Sequence, residues 1–248
     1  MKTFIFPGYV SIWVAYAATL LAVCLGWNRL SRFLSVAGVA LNGCVLAAIV
    51  LVSGVAPVFE IFSGILFATF FLALLGVFLA APAKGGLGVG IWVWIEVVVL
   101  LVVTLFFPKE PPPYRLHHAD WSVVMFHGFR CLALASACFA AAHFFVFRSR
   151  PGEKKALRPV FNQGRNFLLL SALFFLCAEY AGILWCQNGW GDFWHWSTAF
   201  FQSTIILLLL MAAFHPPGKP PISHDIQALL GMMIPMVMLT VTIVKALS

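Results

Sequence analysis

Residues 148–187 read RSRPGEKKALRPVFNQGRNFLLLSALFFLCAEYAGILWCQ. The first part gathers Arg148, Arg150, Lys154, Lys155, Arg158 and Arg165 against a single acid, Glu153, and from residue 166 to 187 the chain turns apolar. A bilayer core of about 30 Å needs roughly 20 apolar residues per helix, so this second part is long enough to cross it and the basic part is its flank. Further apolar runs lie at 6–27, 34–53, 59–80, 87–107, 121–147, 197–214 and 226–247. Leu, Ala, Val and Phe fill them without the short alternation of a transmembrane barrel, which predicts helices. The expected fold is an all-α integral membrane protein, a bundle of about eight transmembrane helices forming one polytopic domain over 1–248. Eight spans take up about 160 residues and leave only short connections. A chain 62% apolar and 9% charged, with mean hydropathy +1.00, is neither a soluble globular domain nor disordered. Pro57 and Pro235 are expected to kink or break the second and eighth spans.

The net charge of +7 would suggest nucleic acid in a water-soluble chain, but here the cations gather between apolar runs, where they set orientation; no nucleic-acid partner is expected. The positive-inside tendency makes 148–165 a cytoplasmic loop. Alternation then places Arg29, Arg32, Lys84 and Lys219 inside and both termini outside. Segments 108–120 and 187–196 face the extracytoplasmic side, with Trp121, Trp185, Trp190, Trp194 and Trp196 near the interface. The first run follows Lys2 and shows no small-residue cleavage site before Asn28, so it is expected to be a retained helix. None of the six cysteines forms a Cys-x-x-Cys pair, which argues against a thioredoxin-like centre or a covalent c-type haem. They read as small apolar core residues, with Cys186 the one close to the oxidising side.

The most specific segment is 185–198, WCQNGWGDFWHWST. Its rings can form an apolar platform, and Gly189 and Gly191 permit a tight turn; an ordinary aromatic interface belt is the plainer reading. Histidines surround it. His127 lies near the extracytoplasmic end of the fifth run and His143 near the other end, about 24 Å apart along a helix and so too distant for one metal. His215 closes the seventh run at a depth similar to that of His143. That pair on different helices can ligate a b-type haem, although either can equally be an interfacial polar residue. His117, His118 and His195 are further candidates for an outer site with His127. Arg130 follows His127 on the same helix side and needs a partner at that depth: a haem propionate, a quinone oxygen, or Glu60 or Asp192. Glu96 and Glu179 fall inside apolar runs, where a hydrogen-bonding, proton-moving or protonated structural role is open. Asn162 and Arg165 need no active-site reading.

With these residues in view, the chain resembles the haem-handling membrane proteins of cytochrome c biogenesis, the superfamily with a tryptophan-rich extracytoplasmic loop. Their pattern runs approximately Trp-Gly-x-x-Trp-x-Trp-Asp, and Trp190-Gly191-Asp192-Phe193-Trp194-His195-Trp196 supplies it up to the last position. His215 falls where the family's helix-ending histidine is expected, and His127 resembles its outer axial histidine. The resemblance covers roughly 115–216, a haem-handling-like core; the first four spans support it only through architecture. Ser197-Thr198 stands where the family has Asp then Pro, and the second outer histidine expected after the eighth helix is not reached by Ser248.

The resemblance implies binding or handling of noncovalent haem b, one or two per chain, in cytochrome c assembly or a related membrane redox complex, with a bacterial inner-membrane location. The resemblance points to His127, Trp190, Trp194, Trp196 and His215; with Arg130, His143 and His195 from the reading of the residues themselves, these are the candidate cofactor contacts, and His127, His143 and His215 are the candidate iron ligands. Partners would be other membrane subunits and a c-type cytochrome or its assembly partner. Two alternatives stand beside it: a b-type electron-transfer subunit of a quinol-linked complex, and an assembly or regulatory protein whose haem site has decayed. Whether the chain is an enzyme is left open. A solute transporter is less favoured, because no internal repeat of broken helices is evident.

Overall fold

In the computed structural model the described residues are 2–80, 88–109, 120–191, 198–216 and 222–247. They form α1 (Lys2–Cys24), α2 (Asn28–Ser53), α3 (Ile61–Leu79), α4 (Val89–Thr104), α5 (Trp121–Ser149), α6 (Arg158–Trp190), α7 (Thr198–Phe214) and α8 (Ile222–Leu247), with one short 3-10 turn at Pro151–Glu153. The chain is an all-α bundle of about eight helices. Six are long and apolar enough to cross a membrane, and α4 and α7 are shorter apolar helices. Helices suit this solvent because each satisfies its own backbone hydrogen bonds where lipid offers none.

Several boundaries differ from those read from hydropathy. Helix α6 begins at Arg158, not at 166, with Pro159 in its first turn, where the missing N–H costs nothing. Its 33 residues correspond to about 50 Å, well beyond a hydrocarbon core of about 30 Å, so its polar ends extend past the apolar stretch. Apolarity marks what lies in lipid, whereas the helix continues wherever propensity allows. The basic segment is therefore a short turn followed by the helical Arg158 and Arg165. At its other end α6 runs through Trp190 and stops at Gly191, whose φ of 70° suits a residue without Cβ and whose N–H donates to the Gln187 carbonyl. Residues 185–190 of the tryptophan-rich segment are consequently helical and not loop. Pro57 lies in the connection after α2 ends at Ser53, while α8 continues through Pro235.

Helix α5 sits at the centre, packed against α3, α4, α6 and α8. Its most apolar stretch is 72% buried, against 33–56% for the corresponding stretches of the other long helices. Small side chains explain the close approach: Ala133, Ala135, Ala137, Ala140, Ala141 and Ala142 are all buried on α5. Polar stitches fix register between neighbours. Ser171 Oγ donates to the Ala133 carbonyl at 2.8 Å, Asn42 Nδ2 to Leu66 O at 3.4 Å, and Tyr9 OH reaches both Leu101 O and Thr104 Oγ1.

The α5–α8 contact depends on Gly231, because a Cβ there would collide with the ring of the fully buried Phe144. Gly231→Leu is expected to cost about 1–3 kcal/mol through overpacking. Gly128→Ala, at a helical position with open space around it, should gain up to about 1 kcal/mol from helix propensity. Thermal unfolding midpoints of the two purified variants should move in opposite directions.

Candidate functional site

At the end of the bundle opposite the basic turn, a cavity of about 310 Å³ is bounded by Val58, Phe59 and Glu60 of the α2–α3 connection, by the start of α3, and by α5, α6, α7 and α8. Two of the sequence candidates, His127 and Arg130, line it one turn apart on α5, with Cys131 and Leu134 continuing the same face. The remaining wall is mostly apolar: Ile61, Ile65, Phe175, Ile206, Met238 and Val241. A largely apolar concavity holding a few polar groups is the usual form of a small-molecule site, and this volume lies at the lower end of the range of about 300–1,000 Å³. The His127 ring meets Phe59 and Phe126 edge-on, with centroids 5.5 and 5.1 Å away.

Arg130 is held from two neighbouring helices. Its Nη2 donates to Glu179 Oε1 on α6 at 2.6 Å and to Ser203 Oγ on α7, and the Ser203 hydroxyl donates to the same carboxylate oxygen at 3.1 Å. The guanidinium lies 4.3 Å from the centroid of Phe126 and 5.7 Å from that of Phe175, an arrangement that adds cation–π attraction. Its partner is thus Glu179, not Glu60, and Asp192 lies outside the described residues. Among the described residues the buried Arg130 Nε has no hydrogen-bond partner.

The other candidates are spread over the bundle. His143 is 2% exposed, with Nδ1 donating to the Phe139 carbonyl at 2.7 Å and Gln163 nearby. Its ring packs against Phe139 and Phe167, and its Cβ lies against Gly164, at the α5–α6 seam. His215 follows the last turn of α7, is exposed, and donates from Nδ1 to the Met211 carbonyl at 3.1 Å. Neither lines the cavity. Trp190 is the last residue of α6; Trp194, His195 and Trp196, like His117 and His118, lie outside the described residues. Glu96 also lies away from the cavity, beside Cys138, with Oε2 buried and, among the described residues, without a hydrogen-bond partner.

Among the described residues no group of three or more His, Cys, Asp or Glu is placed to hold a metal ion. Haem does not require one, since its iron takes only one or two axial ligands from protein. Ser203, Phe59 and Met238 were not singled out by sequence. Of these only Ser203 carried any signal, as a hydroxyl inside an apolar run. No family model and no curated protein matches the chain.

Arg130 and Glu179 are 20% and 30% exposed, a setting in which loss of one partner strands the other. A double-mutant cycle with Arg130→Gln and Glu179→Gln should give a coupling of about 0.5–3 kcal/mol in unfolding free energy. Additive effects of the two changes would remove the pair from the account of stability.

Proposed function

We propose that this chain is a divergent haem-handling membrane protein and that the cavity beside α5 is where it engages haem. The observation that carries this reading is that His127 and Arg130, an imidazole and a cation, line one largely apolar cavity. The donor set suits haem b: His127 can offer a ring nitrogen to iron, Arg130 can bind a carboxylate, and the aliphatic and phenylalanine walls exclude water. Glu179 and Ser203 position Arg130 from α6 and α7. Bound haem supplies the iron redox couple, while the protein governs ligation and exposure. The tryptophan-rich pattern at 190–196 supports the same reading through its resemblance.

On this proposal the basic end, Arg148 to Arg165, faces the cytoplasm by the positive-inside tendency, and the cavity opens toward the extracytoplasmic half of a bacterial inner membrane. Covalent attachment would need a partner, an apocytochrome or assembly subunit, because the chain has no Cys-x-x-Cys pair of its own.

Purified protein titrated with haem should show a b-type spectrum, oxidised and dithionite-reduced, at about one haem per chain. His127→Ala should abolish that component, and Arg130→Gln should weaken binding about tenfold, the equivalent of ~1.4 kcal/mol. His143→Ala and His215→Ala should leave it in place. Retention of the full spectrum in His127→Ala would exclude this cavity, and a component lost with either His143 or His215 would move the site to the other end of the bundle.

A further inference from the structure

The end of the bundle that carries the basic turn has six cations in residues 148–165 and two described acids, and those acids are already engaged. Lys154 Nζ pairs with Asp225 Oδ2 at 2.5 Å, Arg150 with Glu153 at 3.6 Å, and Arg148 donates to the Asp225 backbone carbonyl. Lys155, Arg158 and Arg165 are exposed, and no described acid neutralises them. Arg158, Asn162 and Arg165 follow i, i+4, i+7 spacing and so form one stripe along α6. Exposed Leu169, Leu173, Leu176 and Tyr180 continue the same stripe toward the far end of the helix. Helix α6 is packed by α5 and, more lightly, α7, which leaves this face on the outside of the bundle.

The stripe therefore changes character along its length. Two guanidiniums and an amide come first, in the part of α6 that its length carries beyond the hydrocarbon core, and leucines follow within it. From Arg165 to Leu176 is about 16 Å of helix, comparable with the depth of one leaflet. We propose that this face of α6 binds an anionic phospholipid, with its phosphate among Lys155, Arg158 and Arg165 and an acyl chain along Leu169, Leu173 and Leu176. A guanidinium presents several donors to phosphate oxygens, and Asn162 lies between the two arginines to donate another. Clustered cations at a membrane surface attract acidic lipids, whereas a zwitterionic headgroup gains little from them. A free phosphate would use the arginines but leave the leucine stripe without purpose. This inference is independent of the haem reading, which concerns the opposite end of the bundle.

The test is native mass spectrometry of the purified full chain in neutral detergent, titrated with phosphatidylglycerol or with phosphatidylcholine of the same acyl chains. One phosphatidylglycerol per chain should be retained at about a tenfold lower concentration than phosphatidylcholine. Arg158→Gln with Arg165→Gln should abolish that preference, while Arg158→Lys with Arg165→Lys should keep most of it and report that the face is intact. Arg29→Gln with Arg32→Gln, a charge change of the same size on α2, should leave it unaltered. Equal retention of the two lipids, or a preference that survives the double glutamine change, overturns the proposal. So does equal loss in the α2 variant, which would indicate a diffuse field, or full displacement by millimolar inorganic phosphate, which would indicate a site for small anions.

Discussion

Helix α5 can sit at the centre because its side chains are small where its neighbours press closest. In lipid, apolar area alone gives helices no reason to associate, since hydrocarbon is as good a neighbour as leucine; close packing and a few hydrogen bonds must do so. The buried alanines of α5 admit α3, α4, α6 and α8, and the Ser171–Ala133 bond and the Gly231–Phe144 contact fix where α6 and α8 lie along it. The cavity follows from this arrangement. Its walls come from four of the helices around α5's first turns and from the α2–α3 connection, so its shape is set by how closely those elements approach.

Charge at membrane depth imposes the second constraint. Arg130 belongs to the wall of the cavity, and an isolated guanidinium there would be expensive. Glu179 and Ser203 offset that cost and also tie α7, a short helix that packs mainly on α8, to α5 and α6. Of the three residues only Arg130 lines the cavity; Glu179 and Ser203 hold it there from α6 and α7. Nη2 alone makes the bonds to Glu179 and Ser203, so the network holds the group without exhausting its donors.

How far the sequence revealed this follows from what each signal measures. Hydropathy found the apolar runs and hence eight helices, because lipid demands apolar side chains over a fixed length. It misplaced the starts of α2 and α6, since Asn28 to Arg32 and Arg158 to Arg165 are polar yet helical. His127 and Arg130 could be placed on one helix face by spacing alone. The partner of Arg130 could not: Glu179 lies 49 residues away, and the acids the sequence suggested were Glu60 and Asp192. Depth along a helix was likewise legible for His143 and His215, but facing direction was not. One ring lies in the α5–α6 seam and the other is exposed at the end of α7.

The resemblance to haem-handling proteins rested on residues 115–216, with the first four helices counted as scaffold. The cavity redistributes that weight. Val58, Phe59, Glu60 and Ile61 form one side of it, and Met238, Val241 and Thr242 of α8 form another, so residues outside the motif region are needed to enclose His127 and Arg130. A motif records the groups that touch a ligand's reactive part, whereas exclusion of water depends on whatever apolar surface packs around them. That surface can be supplied by many sequences, provided its volume and placement are kept. A chain can therefore depart from the motif at Ser197 while keeping His127 and Arg130 on one cavity wall, because the residues that line that cavity around them come from the α2–α3 connection, α3, α6, α7 and α8, and none of residues 185–191 is among them.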